Sequence, residues 1–111
     1  MRFNVGDKVK LSDSDGDGFL DMIIDQNPHL EKMYMKDELD FDNKIFSPDT
    51  YNQQIGLIAK AEMDRKEEWY YVDIPYFFGF GTVRVLCIMM PDDGDPEGCA
   101  EMWTTKLEKV A

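Results

Sequence analysis

The chain of 111 residues has two cysteines and a single histidine, so neither a disulfide-stapled scaffold nor a histidine-rich metal site is expected. Basic residues are scarce as well: 12 Lys and Arg stand against 23 Asp and Glu, a formal net charge of -11. Such a field repels phosphate backbones and attracts cations or basic protein surfaces, which argues against direct nucleic-acid binding. The longest apolar run, Val85 to Met90, is far short of the ~20 residues a membrane helix needs, so no membrane span is expected. The opening Met1-Arg2-Phe3-Asn4-Val5-Gly6-Asp7 becomes charged before an apolar stretch develops. A secretory signal is therefore not expected, and a cytoplasmic setting with free thiols at Cys87 and Cys99 is.

Enough apolar material is nonetheless present to fold. The hydrophobic fraction is 43%, with 13% aromatics and a mean hydropathy of -0.46, which fits a globular chain. A chain of this length supports one core, so residues 1–111 are read as a single domain.

Period-two alternation dominates the apolar pattern. Phe3, Val5, Val9 and Leu11 share one parity and Lys8 and Lys10 the other, predicting a first strand. Ile55, Leu57, Ala59, Ala61 and Met63 predict the apolar face of a second strand, and Trp69 to Ile74 a third, joined to it by a charged turn at residues 64–68. Thr82 to Met90 is apolar on both faces and predicts a fourth strand that is central or covered on both sides. Trp103 to Val110 predicts a closing strand. Between the first two strands lies an insertion of about 12–54, in which residues 12–18 read as loop. There Asn27-Pro28 can cap and start one short helix running from His29 to about Leu39.

The segment Phe3 to Leu11, with its Gly6-Asp7 turn before a strand of alternating charge, resembles the first strand of SH3-like small barrels of the KOW type. Glu67 to Val72 and Trp103 to Val110 resemble that family's later hairpin and last strand. The resemblance implies a mainly β, five-stranded, partly open SH3-like barrel, here carrying an acidic insertion, and a binding role in place of catalysis. Relatives that bind nucleic acid place Lys and Arg on their loops. This chain places Asp and Glu there.

The acids are unevenly distributed. Residues 12–43 hold ten of them against Lys32 and Lys36, and residues 92–101 hold five with no base. Asp13, Asp15, Asp17 and Asp21, with the Phe19 carbonyl, match positions one, three, five, nine and seven of a calcium loop. This stretch resembles the loops of EF-hands and of thrombospondin type 3 repeats. Ile24 occupies the position that normally supplies a bidentate Glu, and Asp25 follows it. Ca²⁺ is accordingly the one cofactor the residues suggest, with Asp13, Asp15, Asp17, Phe19, Asp21 and Asp25 as its ligands. A solvated acidic turn accounts for the same residues.

The expected partner is a basic protein surface. Its contacts are expected at Asp37, Glu38, Asp40, Asp42, Asp92, Asp93, Asp95 and Glu97, together with Phe77 and Phe78 from an aromatic turn around Gly79. Small acidic viral (phage) proteins that mimic nucleic acid and inhibit a host nucleic-acid-binding protein share this composition. A calcium-binding structural or regulatory domain is the alternative. The lone His29 has no nucleophile or metal-ligand cluster near it in sequence, and catalysis is not expected.

Overall fold

The computed structural model describes residues 1–35, 44–89 and 103–110. In chain order it contains β1 (Lys8–Asp15), α1 (Phe19–Gln26), α2 (Pro28–Met35), two 3-10 turns (Lys44–Phe46 and Pro48–Tyr51), β2 (Ile55–Asp64), β3 (Glu67–Ile74), a third 3-10 turn (Phe77–Gly79), β4 (Val83–Met89) and β5 (Thr104–Lys109).

All five strands join one antiparallel sheet in the order β4-β3-β2-β1-β5. The last strand therefore returns to pair with the first, and the sheet curls until β4 approaches β5. There the Cys87 thiol donates to the Thr105 carbonyl at 2.7 Å. This is a mainly β, five-stranded sheet that is not closed, an arrangement compatible with an SH3-like fold.

The first strand starts later than the alternation predicts. Asn4 to Asp7 form a turn instead, with the Asp7 amide donating to the Asn4 carbonyl and Gly6 at a φ of 94° that favours glycine. Val5 is consequently exposed, while Phe3 reaches the core separately and packs edge-on against Tyr70 at 5.2 Å. At its far end β1 continues through Asp13, Ser14 and Asp15, which were expected in a loop.

Strand β2 is inverted relative to the sequence pattern. Gly56 and Ile58 face inward, whereas Ile55 and Leu57 are about half exposed, at 45% and 48%. The cause is local. A Cβ at position 56 would lie 2.7 Å from the Asp73 carbonyl oxygen and from Val72 Cγ1, so the inward face there admits only glycine. A register shift between Ile58 and Lys60 then flips the strand, and Ala61 packs on the core.

The described residues of the insertion form two helices where one was expected, and residues 36–39 of that expected helix lie outside the described residues. Asn27-Pro28 does start α2, the Asn27 carbonyl accepting the Leu30 and Glu31 amides. Ahead of it, α1 buries Phe19, Met22 and Ile23, the i, i+3, i+4 spacing of one helix face. It lies along the free edge of β4. Asn27, itself buried, donates from Nδ2 to the Ile23 and Arg84 carbonyls at 2.8 Å each and accepts the Arg84 amide on Oδ1 at 2.7 Å. Met22 Sδ accepts the Leu86 amide, and Trp103 Nε1 donates to the Leu86 carbonyl. The strand is thus at the edge in pairing order yet covered, as its two apolar faces require.

Candidate functional site

The acidic loop proposed for calcium is divided between two elements. Asp13 and Asp15 flank Ser14 in β1, where the Ser14 hydroxyl lies 2.7 Å from the Thr105 hydroxyl and its amide donates to Asn52 Oδ1 at 2.8 Å. With Ser14 turned inward, its neighbours are turned outward and exposed. Asp13 takes a left-handed φ of 52° at the bulge between Ser12 and Asp15, and its carboxylate meets Lys106 Nζ at 3.7 Å. Past Gly16 the chain enters α1 at Phe19, whose ring is fully buried against Tyr51. Asp21 and Asp25 follow one helical turn apart on the exposed face of α1, and Asp17 is exposed just before it. Among the described residues no three His, Cys, Asp or Glu side chains are gathered to hold a metal ion. Asp13 and Asp15 instead line an open polar cleft of about 570 Å³ with Ser14, Asp49, Asn52, Thr104 and Lys106.

Charge pairing differs between regions. Several carboxylates of the sheet and its margins are paired: Asp7 with Lys109 at 3.7 Å, Glu62 with Lys60 at 3.5 Å, Glu108 with Lys10 at 3.7 Å, and Asp73 with Arg84 through two bonds of 2.8 and 3.1 Å, whereas Asp64 and Glu67 at the β2–β3 turn have no ion-pair partner among the described residues. The last pair raises the Arg84 guanidinium's affinity for its proton, through the hydrogen bond to Asp73 first. By contrast, Asp15, Asp17, Asp21, Asp25, Glu31 and Asp49 of the insertion have no ion-pair partner among the described residues. The expected contacts at Asp37, Glu38, Asp40, Asp42, Asp92, Asp93, Asp95 and Glu97 lie outside the described residues, as does Cys99.

At the aromatic turn the assignment changes by one residue. Phe77, expected at a partner surface, is buried at 2% exposure and stacks on Tyr51 with centroids 4.6 Å apart and planes 15° from parallel. Burial also raises the Tyr51 hydroxyl's affinity for its proton, and that hydroxyl donates to the Ile45 carbonyl at 2.6 Å. The exposed rings are Tyr76, at 88%, and Phe78, at 53%. Both sit on left-handed backbone, with φ of 54° and 44°, a conformation costing roughly 1–3 kcal/mol at each non-glycine residue. Parity arguments cannot find this pair, because a turn has no period.

A second feature was missed altogether. Glu68 is fully buried on the core face of β3. Its Oε1 accepts the Tyr70 hydroxyl at 2.8 Å and the Arg2 amide at 2.6 Å, and the amino terminus lies 3.9 Å away. The Tyr70 oxygen in turn accepts the Arg2 and Phe3 amides at 2.9 and 3.1 Å, so one carboxylate and one phenol tie down the chain's first residues. Glu68 Oε2 and the neighbouring Trp69 Nε1 are buried without hydrogen-bond partners among the described residues.

No family model matches the chain, and no curated protein or solved structure matches it either. The class is accordingly defined by architecture alone, a small five-stranded antiparallel sheet with a helical insertion.

Proposed function

We propose that the chain is a non-enzymatic interaction module that presents an acidic insertion to a basic protein surface, such as the nucleic-acid-binding face of another protein. One observation carries this reading: Asp7, Glu62, Asp73 and Glu108 of the sheet and its margins are paired with Lys or Arg, while Asp15, Asp17, Asp21, Asp25, Glu31 and Asp49 have no ion-pair partner among the described residues. Asp17 just before α1 and Asp21 and Asp25 on it, exposed at four-residue spacing, contribute to that surface. Long-range attraction of this kind speeds encounter and suppresses wrong partners, and it weakens as salt screens it.

Titration with a basic polypeptide, oligolysine, tests the reading. Affinity should fall steeply between low and physiological ionic strength, and the triple variant Asp17→Asn, Asp21→Asn, Asp25→Asn should bind several-fold more weakly. Binding indifferent to salt would overturn it. The same titration with calcium and with a chelator tests the alternative use of residues 13–25.

A further inference from the structure

Strand β2 is the middle strand of the sheet, and it carries apolar side chains on the face away from the core. Ile55 and Leu57 stand there about half exposed, because Gly56 and Ile58 take the inward positions. The register fixes what surrounds them. Leu57 is opposite Lys8 of β1 on one side and Asp73 of β3 on the other, and Ile55 is opposite Lys10. Directly opposite residues share a face of the sheet. A base, an apolar side chain and an acid therefore form one outward row across three strands, with the two charged positions roughly 10 Å apart at the usual strand spacing. Lys8 is exposed and has no ion-pair partner among the described residues. Asp73 accepts two bonds from Arg84, and a carboxylate with about four lone-pair positions can take a further donor.

Such a row matches itself. Turned over by a two-fold axis lying along β2, it sets Leu57 against Leu57 of a second copy, and Lys8 of each copy opposite Asp73 of the other. Ile55 follows on the same strand and meets its own counterpart. Isologous interfaces require this self-complementarity, and sheets pack face to face with their strands within about 30° of each other. The chain's surplus of acid repels a second copy, but the charges flanking Ile55 and Leu57, which are Lys8, Lys10 and Arg84 with Asp73 and Glu108, leave no surplus of acid at this face. We infer that the outer face of β2 is the contact surface of a homodimer, with a second copy of this chain seated across a two-fold axis at Leu57. The pairing leaves α1 free, since that helix lies at β4, two strands away.

Sedimentation of the whole chain over a range of concentrations measures the dimer. Reducing conditions keep the thiols from linking copies, and physiological ionic strength limits repulsion between them to a range of ~8 Å. A concentration-dependent equilibrium of monomer and dimer is expected. Leu57→Lys sets two ammonium groups against each other on the axis and should raise the dissociation constant about tenfold or more. The charged pair has a sharper signature. Lys8→Asp and Asp73→Lys each create two like-charge contacts, so each variant alone should be monomeric. Mixed in equal amounts they should dimerise, because both contacts between unlike copies are then attractive. A role in folding alone gives no such rescue. Should Asp73→Lys lower the thermal midpoint by losing Arg84, Leu57→Lys and Lys8→Asp carry the comparison, since both lie at exposed positions and should weaken the dimer at an unchanged midpoint. A chain that stays monomeric at every concentration, or a dimer indifferent to Leu57→Lys and Lys8→Asp, would overturn the interface. A mixture of folded Lys8→Asp and Asp73→Lys that stays monomeric would overturn the two-fold register.

Discussion

Cys87 lies in β4 with its thiol wholly inside the core, donating to the Thr105 carbonyl. Burial penalises the thiolate and pushes the thiol well above its ordinary range. Two outcomes are expected. In a Cys99→Ser background the native protein should resist thiol reagents and react only on unfolding, as mixing with a chromogenic disulfide would reveal. Stability should also fall in alkali, because an unfolded chain releases this proton from about pH 8.5 while the folded chain keeps it. The contribution is complete below that pH and is lost progressively above it, at about 1.4 kcal/mol per pH unit. Tyr51, raised for the same reason, adds its own loss from about pH 10. Cys87→Ser keeps a donor for Thr105 but does not ionise, so urea midpoints measured from pH 8 to 11 should lose the first of these two steps.

At the scale of elements, the molecule depends on how the insertion is fastened to the sheet. Asn27 makes three hydrogen bonds to backbone groups of α1 and β4, and its removal would take the partner from one amide and two carbonyls at least partly shielded from water. Asn27→Ala is therefore expected to cost about 2–4 kcal/mol in chemical denaturation, with faster hydrogen exchange at the Arg84 amide. Asn27→Asp should recover little, since a carboxylate cannot donate to the Ile23 and Arg84 carbonyls. The Asn27-Pro28 pair was legible as a helix start, but its tie to β4 was not, because a contact 57 residues away leaves no periodicity. Helix α1 was hidden differently. Its spacing of Phe19, Met22 and Ile23 is present in the sequence, yet the Asp- and Gly-rich entry reads as turn chemistry. Strand positions were legible wherever alternation sets the face, as at Val9 and Leu11. The face failed in β2, where backbone crowding at Gly56 outweighs the apolar pattern. That explanation has its own test. Gly56→Ala should destabilise by about 1–3 kcal/mol, an overpacking cost that a merely permissive glycine in a strand would not incur.

For the whole molecule the relevant quantity is the imbalance of charge and where it sits. With 23 acids to 12 bases, unpaired carboxylates on the insertion repel one another in the compact state more than in the expanded one. Salt opposes this by screening, but it also weakens the ion pairs of the sheet. The pairs involving Lys10, Lys60, Lys106 and Lys109 lie 3.5 to 3.7 Å apart at exposed or partly exposed positions, where each contributes only about 0–1 kcal/mol. Relief of repulsion should therefore prevail, and the thermal midpoint should rise between low and physiological ionic strength. The triple variant Asp17→Asn, Asp21→Asn, Asp25→Asn should start from a higher midpoint and respond less to salt, since the repulsion it removes is the part that screening acts upon. A midpoint that falls with added salt in both proteins would mean that the pairs of the sheet outweigh the field of the insertion. The carboxylates on α1 would then be too dilute to act as a surface of one sign, and attraction of a basic partner would lose its physical basis along with the repulsion.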